Sequence, residues 1–265
     1  MTKNNLFSLR TIFTIIISSI AITSFAQSDT LRLKVMTYNI RFGELASMEQ
    51  IGQHIKAFNP DFVALQEVDI HMYRDLTPHQ HGVDFMTALA KETGMFPLYG
   101  KAVAALKGYF GVGILSKYPY ISVEKLMLPN PNNVEPRVLL SGTFEVGNDT
   151  VIFATTHLDV TSEQNRVLQT QYICDYFKDC KYPVLLGGDF NAKPQTDALK
   201  KVMKKSWLEF TNDDFTFPTK NPKAKLDYIF ARPMLGWSLI RTQAIQSQLS
   251  DHLPIITELQ YIRNK

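Results

Sequence analysis

The stretch PVLLGGDFN, residues 183–191, carries the pattern on which the fold prediction rests. Residues 183–188 are apolar or glycine throughout, a composition and length typical of a buried β-strand. The run ends in Asp189 and Asn191, two hydrogen-bonding residues that also favour tight turns. A single motif of this kind predicts a turn after a strand, so its meaning depends on whether other strands end in the same way.

Five further predicted strands begin or end in acidic, amide or histidine side chains. Taken alone, each has a structural explanation, such as a strand cap, a solvated loop or a hydrogen-bonding histidine. Together they indicate one site, because layered sheet folds collect active-site residues from distant parts of the chain at their strand ends. The six polar segments are Tyr38-Asn39, Gln66-Glu67, Thr156-His157-Leu158-Asp159, Gly188-Asp189-Phe190-Asn191, Lys225-Leu226-Asp227-Tyr228 and Ser250-Asp251-His252.

Strand-like and helix-like segments alternate along the chain, with no internal repeat. Ser47 and Gln50 form a capping box that predicts a helix start, and Thr161 and Gln164 form another. Helices that cross between strands favour α/β layers, and adjacent strands favour antiparallel pairs, so two sheets with helices outside are predicted. The predicted helices span 47–58, 84–91, 161–177 and 197–204, and the predicted strands span 31–40, 62–67, 111–116, 138–146, 151–157, 183–188, 225–230, 237–242 and 254–260.

The first 26 residues predict a signal peptide rather than part of the fold. Lys3 and Arg10 precede an apolar stretch at 12–22, and the small residues Ser24 and Ala26 fit a signal-peptidase site. The apolar stretch is shorter than the about 20 residues that a spanning helix needs, although an uncleaved anchor is the alternative. Cleavage after Ala26 predicts a secreted or periplasmic protein whose mature chain, 27–265, is a single domain without a transmembrane segment.

Composition excludes several classes of protein. The 265 residues are 45% hydrophobic and carry 28 basic and 25 acidic side chains, and the formal net charge of +3 falls to +1 without Lys3 and Arg10. This charge is far from that of a dedicated nucleic-acid binder, and the hydrophobic content excludes disorder. Cys174 and Cys180 lie six positions apart near one predicted helix and would point to different faces, so free or buried thiols are predicted, and a disulfide is expected only if the helix ends between them.

These residues and motifs resemble the endonuclease/exonuclease/phosphatase superfamily, which has the deoxyribonuclease I-like fold. The matching segments run in order across the mature chain, at 36–67, 111–116, 156–159, 187–191, 225–229 and 250–252. The resemblance implies a four-layer α/β sandwich, with two packed mixed β-sheets flanked by helices and one metal-dependent site at the top of the sheets. It also implies hydrolysis of a phosphate ester by in-line attack of water, without a covalent enzyme intermediate.

The resemblance implies a cation held by Glu67 with support from Asn39, and by Asp251 directly or through water. An acidic and amide-rich set without a local cysteine suits the hard cation Mg²⁺ better than zinc, with Mn²⁺ or Ca²⁺ as alternatives. Family members differ on whether one or two ions act, and the sequence leaves this open.

The resemblance also assigns roles in the reaction. His252 is the terminal catalytic histidine, and Asp227 is the carboxylate that orients it. Asp189 and Asn191 position or deprotonate the attacking water and hold the phosphate. His157 donates a hydrogen bond to a phosphate oxygen in the transition state.

The identity of the substrate is less constrained than the site. Arg137 is predicted to contact the phosphate, with a surface ion pair as the alternative. Arg41 stands two positions beyond Asn39, where abasic-site enzymes have an acidic residue, and this difference argues against DNA repair. The basic concentration between Lys200 and Lys225 is predicted to be a solvated helix and loop, with a phosphate-guiding face as the alternative.

Several substrates and one non-enzymatic function remain open on the sequence. The substrate is predicted to be a phosphate ester, either a phosphodiester or a phosphomonoester, in a nucleic acid, a phospholipid head group or a sugar or inositol phosphate. No stable protein partner is implied. The alternative from another functional class is a catalytically inactive phosphate-ligand binding protein on the same fold, although no expected site position carries an inert residue.

Overall fold

The structure of the chain, a computed structural model, describes residues 30–262, which form twelve strands and three α-helices. The strands are β1 (Thr30–Asn39), β2 (Phe62–Ile70), β3 (Phe96–Ala105), β4 (Gly108–Ser116), β5 (Tyr120–Met127), β6 (Val138–Val146), β7 (Asp149–His157), β8 (Val184–Asp189), β9 (Leu208–Glu209), β10 (Asp227–Arg232), β11 (Trp237–Ala244) and β12 (Ile255–Ile262). The helices are α1 (Met48–Phe58), α2 (Phe85–Thr93) and α3 (Glu163–Phe177).

The strands form two mixed sheets of six strands each. Their orders are β11-β12-β1-β2-β4-β3 and β5-β6-β7-β8-β10-β9. One pair in each sheet is parallel, β1 with β2 and β7 with β8, and the remaining ladders are antiparallel. Helix α1 connects the first parallel pair and α3 connects the second, so each sheet contains one βαβ crossover. In each parallel pair the two strands therefore end on the same side of their sheet, which is where binding sites commonly form.

Three apolar clusters hold four layers together. Between the sheets, the rings of Phe62 and Phe153 stack with their centroids 4.9 Å apart. On the outer face of the first sheet, Ile51 of α1 and Leu89 of α2 pack in a second cluster, and Phe177 of α3 packs in a third on the second sheet. The predicted four-layer α/β sandwich of two mixed sheets flanked by helices is therefore confirmed.

The ends of α1 follow the sequence prediction, whereas the start of α3 differs from it. Ser47 and Gln50 form the predicted capping box of α1. Helix α3 begins one residue later than predicted, because Ser162 is its N-cap and accepts a hydrogen bond from the backbone N–H of Asn165. Thr161 instead donates its hydroxyl to Asp159 in the preceding loop, so the predicted capping box starting at Thr161 was wrong.

Three strands that were not predicted, β3, β5 and the two-residue β9, and one helix also depart from the prediction. Strand β5 was not predicted because it is an edge strand that is exposed along nearly its whole length, so it lacks the alternation of a half-buried strand. Strand β3 is also an edge strand and includes few buried residues. The predicted helix at 197–204 is a short π-helical turn, Ala198–Val202, followed by a 3₁₀ turn, Met203–Lys205.

The burial of Lys225 differs from the sequence prediction, whereas the state of the two cysteines agrees with it. The Lys225 side chain is only 2% exposed and pairs with Glu209, so the prediction of a solvated lysine was wrong at this position. Cys174 and Cys180 are free thiols, as predicted, and Cys174 is buried.

The predicted signal peptide lies outside the described residues. Within residues 30–262, no helix has both the length and the apolar character required to cross a membrane.

Candidate active site

The polar strand ends meet in one cavity at the edge shared by the two sheets. The cavity has a volume of about 450 Å³. Asn39 and Asp227 lie directly beneath it, each hydrogen-bonded to a lining residue. Among the predicted site residues, the cavity is lined by Glu67, Arg137, His157, Asp189, Asn191, Asp251 and His252.

The register of the second sheet brings three of these residues side by side. At the end of β8, Asp189 is opposite His157 of the parallel strand β7 and opposite Asp227 of the antiparallel strand β10. Asn191 follows in a left-handed conformation with a φ of 47°, and its backbone N–H donates to Asp189 Oδ1 over 2.8 Å. Asparagine tolerates this conformation better than most residues, which explains the turn after Asp189.

Asn39 joins the two sheets at the site. Its Nδ2 donates to Glu67 Oε1 of its own sheet and to Asp189 Oδ2 of the other sheet, both over 3.0 Å. The backbones approach closely beside it, because a Cβ atom on Gly187 would lie 2.7 Å from the Cβ of Ala64. Only glycine at position 187 allows this spacing, so the repeated glycine of the PVLLGGDFN stretch sets the distance between the two halves of the site.

Glu67 is directed into the cavity by an irregularity in β2. The register between β2 and β4 shifts between Gln66 and Val68, and Glu67 has a φ of 58°. A β-bulge of this kind re-aims a side chain that a regular strand would hold in alternation. Burial raises the pKa of the Glu67 carboxyl, while the hydrogen bond from Asn39 opposes that shift. Within residues 30–262, Glu67 Oε2 accepts no hydrogen bond.

Asp227 and His252 form a buried hydrogen-bonded pair that faces Asp189. His252 Nδ1 lies 2.9 Å from Asp227 Oδ2, and its Nε2 lies 3.7 Å from Asp189 Oδ2. Thr216 also donates its hydroxyl to Asp227 Oδ2. One ligand atom from each of Asp189, Asp227 and His252 lies within 4.8 Å of the others, which is close enough for a cation. Because the Nδ1 proton is directed at Asp227, the arrangement suits proton transfer better than metal ligation by this histidine.

The charges of this group shift the protonation of its members in opposite senses. Burial alone would lower the pKa of His252, but the adjacent Asp227 and Asp189 raise it to about 10. Burial raises the pKa of Asp189 to about 7, against the opposing effect of His252 and with the support of Asp227. At neutral pH His252 is therefore a cation, and Asp189 can gain or lose a proton at little cost.

Arg137 fixes the protonation of His157. The Arg137 side chain is 7% exposed, and its Nη1 lies 3.0 Å from His157 Nδ1. Because a guanidinium can only donate, Nδ1 is the acceptor and the proton of the neutral ring lies on Nε2. Nε2 lies 2.9 Å from the side-chain amide of Asn191, which accepts this proton when its oxygen faces the ring, and 3.5 Å from Asp189 Oδ2. Burial first, and then the charges of Arg137 and His252, hold the pKa of His157 well below its usual value, so the ring is neutral. Arg137 Nη2 also forms an ion pair with Glu135 over 3.0 Å, so the buried guanidinium combines its contact to His157 with an ion pair to a half-exposed carboxylate.

Asp251 lies at the cavity wall but has a protein cation as its partner. Its Oδ2 forms an ion pair with Arg41 Nη1, and Arg41 also pairs with Glu44. Arg41 adopts a φ of 44°, and its backbone N–H donates to Asn39 Oδ1 over 3.0 Å. The residue that stands where abasic-site enzymes have an acidic side chain therefore compensates the charge of Asp251.

The comparisons with known proteins agree with this architecture. A sequence profile of the Endonuclease/Exonuclease/phosphatase family matches residues 36–252, and the chain belongs to this family. Enzymes of the family hydrolyse phosphoesters and are typically dependent on divalent metal ions. Among curated proteins, none is significantly similar to the chain in sequence.

Solved structures share the fold at low sequence identity. An endonuclease/exonuclease/phosphatase from Beutenbergia cavernae DSM 12333 is 20% identical, with a TM-score of 0.73 over 87% of this chain and 72% of that one. A mannosyl-6-phosphatase from Bacteroides thetaiotaomicron VPI-5482 is 18% identical, with a TM-score of 0.68 over 86% of this chain and 99% of that one. The catalytic domain of human Nocturnin with bound sulfate anion is 19% identical, with a TM-score of 0.68 over 88% and 97%.

Some residues of the cavity were not predicted from the sequence. Thr216 supports Asp227 from eleven positions away, and no local pattern marks it. Arg74 and Phe110 line the cavity from the side of β2 and β4, and Phe217 lies against the His252 ring with its centroid 4.8 Å away. These residues are positioned at the site by loop conformations and by pairing between strands that are distant in the sequence, so no local sequence pattern marks them.

Proposed function

We propose that this protein is a divalent-metal-dependent phosphoester hydrolase that uses water as its nucleophile. The observation that carries the proposal is the meeting of Asn39, Glu67, Asp189 and His252, from both sheets, around one cavity. This set combines a carboxylate open to a cation, a carboxylate with a pKa near neutrality and a charged histidine. Such a combination suits attack of water on a phosphate ester.

The proposed roles follow from the hydrogen bonds of each side chain. Asp189, held by Asn39 and by the backbone N–H of Asn191, accepts the proton of the attacking water. His252, oriented by Asp227, stabilises negative charge on the phosphate through its Nε2–H. His157 donates its Nε2 proton to a second phosphate oxygen, because Arg137 keeps that proton on Nε2. The P–O bond to the alcohol breaks, and the leaving oxygen takes up a proton from solvent, so hydrolysis is completed without a covalent enzyme intermediate.

Glu67 is the residue best suited to hold the cation. Its Oε1 accepts from Asn39, while Oε2 has no donor within residues 30–262, and burial without a directly paired cation raises its pKa. A carboxylate with an open oxygen in this setting fits Mg²⁺, or Mn²⁺ or Ca²⁺ in its place. When bound, the ion would polarise a phosphoryl oxygen and stabilise charge on the leaving oxygen. Asp251 enters such a shell only in competition with Arg41.

The test combines a substrate panel with variants of the site. The purified protein is assayed with Mg²⁺ on nucleic acids, phosphocholine lipids, inositol phosphates and sugar phosphates, with and without a chelator. Asp189→Asn and His252→Gln are expected to lower kcat by about 10²–10⁴-fold, since each removes a proton-transfer or charge-stabilising group. Lys201→Gln, at an exposed lysine paired with Asp197, serves as the control. Full activity in both site variants would refute the mechanism.

Binding measurements separate the enzyme from the alternative of an inactive binding protein. Mn²⁺ binding, followed by the loss of the free-ion signal in electron paramagnetic resonance, is expected for the wild type and weakened in Glu67→Gln. Capture of a phosphate ester without turnover across the whole panel would favour the binding protein. Retention of wild-type Mn²⁺ affinity in Glu67→Gln would contradict the assignment of the cation to this residue.

We further propose that residues 1–26 direct export and are removed after Ala26. The support is the order of a basic start, a short apolar stretch and small residues at the exit. Mass spectrometry of the protein from culture medium and periplasm is expected to find a chain that starts at Gln27. Recovery of the intact chain in the cytoplasm alone would contradict secretion.

A further inference from the structure

We propose that Arg74 forms a leaving-group subsite that donates a hydrogen bond to a hydroxyl of a neutral sugar or polyol, so that the substrate is its phosphomonoester. The inference rests on the proposed hydrolysis and adds the chemistry of the alcohol. Arg74 lies in the loop between β2 and α2, and its 22% exposed side chain lines the same cavity as Glu67 and Asp189. None of the contacts assigned to the phosphate or the water uses it.

The Arg74 guanidinium is held in a fixed orientation. Its Nε and Nη2 donate to the two oxygens of the buried Asp69 over 2.6 and 3.0 Å. Its central carbon lies 4.6 Å from the ring centre of Phe42 and 5.0 Å from that of Phe110. Asp69 and Phe110 are directly opposed in the β2–β4 ladder, so both project from the same face of the sheet. A donor fixed in this way loses little conformational entropy when a ligand binds.

One nitrogen of the guanidinium remains available to a ligand. Within residues 30–262, Nη1 of Arg74 has no hydrogen-bond partner, whereas Asp69 occupies the opposite edge of the group. Asp69 also compensates the positive charge and would repel a second anion. The open edge therefore suits a neutral oxygen acceptor better than a second phosphate.

The remaining polar groups of the cavity favour hydroxyls. Glu135 is half exposed and uses Oε1 for Arg137, and among the described residues no donor contacts its Oε2. Asp251 is a second carboxylate in the wall. A hydroxyl can donate to a carboxylate oxygen and accept from Arg74. The arginines at the cavity, Arg41, Arg74 and Arg137, are each already paired with a carboxylate, which leaves little positive charge for a polyphosphate or a nucleic-acid backbone. The cavity of about 450 Å³ falls in the range of small-molecule sites.

The test compares monoesters that differ in the hydroxyls of their alcohol. Hexose 6-phosphate and glycerol 3-phosphate carry hydroxyls, whereas phenyl phosphate and ethyl phosphate do not. Arg74→Lys keeps a cation for Asp69 but lacks the planar edge, and the pair Asp69→Asn with Arg74→Gln removes both charges together. In both proteins, kcat/KM for the hydroxylated esters is expected to fall at least tenfold, while that for phenyl phosphate stays within twofold. Arg241→Met, at an exposed arginine, is expected to leave both unchanged.

Each contrary result overturns the inference in a recognisable way. Equal losses of kcat/KM on hydroxylated and plain esters would show a structural role of Arg74, and an unchanged kcat/KM on both would show no role in selecting the alcohol. A selective loss on nucleoside monophosphates, with hexose 6-phosphate unaffected, would assign the subsite to a base carbonyl. If the wild type hydrolyses phenyl phosphate and the variants keep the wild-type ratio of kcat/KM between hydroxylated and plain esters, only this inference is refuted. A wild type without activity on any phosphate ester refutes the proposed function as well.

Discussion

The substitution Arg137→Met tests whether the buried arginine acts through His157. Methionine has a similar length and fills the space without charge, and the partner left behind, Glu135, is half exposed. The hydrogen bond between Arg137 Nη1 and His157 Nδ1 is 3.0 Å long and buried. A hydrogen bond from a charged donor contributes about 1.5–3 kcal/mol, and a loss of about 2 kcal/mol in the transition state corresponds to about a 30-fold fall in kcat.

Two measurements on the same variant separate this role from simple phosphate binding. The first is steady-state kinetics on a phosphate ester with saturating Mg²⁺. The second is the titration of the His157 ring by proton NMR, where the pKa is expected to rise because the charge of Arg137 no longer opposes ring protonation. If Arg137 only binds substrate, KM rises and the His157 titration stays the same.

The result that refutes the reasoning is therefore specific. A kcat within threefold of the wild type, together with an unchanged pKa of His157, would show that Arg137 does not control the ring. Arg241→Met removes an exposed arginine that pairs with Glu258 and is the matched control for loss of a positive charge. Thermal unfolding of both variants establishes that the comparison is made between folded proteins.

Three further perturbations address the fold and the cation site. Gly187→Val places new atoms where a Cβ already lies 2.7 Å from Ala64, so the free energy of unfolding in urea is expected to fall by about 1–3 kcal/mol, and an unchanged midpoint would contradict the close approach. Burial alone would raise the pKa of Glu209, but its lysine partners hold it below 4.5, so its contribution is present above that pH and lost as the pH falls through the folded pKa. Urea midpoints of Glu209→Gln are expected to vary less between pH 5 and pH 3 than those of the wild type, and parallel curves would count against the ion pair. Arg41→Gln frees Asp251, so the Mn²⁺ proposed at Glu67 is expected to bind more tightly in paramagnetic resonance titrations, whereas an unchanged affinity would disprove competition.

The sequence was most informative where function and folding require the same residue. The six polar segments were predicted because strand ends are short, local and chemically distinct from the apolar runs beside them. The left-handed turn at Asn191 and the capping box at Ser47 are likewise local interactions, within a few residues of their partners. The start of α3 was misplaced because Ser162 and Thr161 are equally good caps, and Asp159 decides between them.

The features that the sequence did not predict depend on contacts between distant segments. Asn39 and Asp189 are 150 residues apart, and their hydrogen bond exists only when the sheets pack face to face. The burial of Lys225 depends on Glu209 in a separate strand, and the position of Arg74 depends on Asp69 and on rings from two other segments. None of these contacts leaves a periodic or local trace in the chain.

The bridge that Asn39 makes between the sheets links catalysis to the association of the two halves of the molecule. Glu67 belongs to one half and Asp189 to the other, so neither half alone can assemble a working centre. A bound ion or phosphate that contacts both halves stabilises the packing of the two sheets, because it binds the folded protein and not the separated sheets. Turnover is therefore expected to vanish at the same denaturant concentration at which the sheets part, without an intermediate that is open yet active.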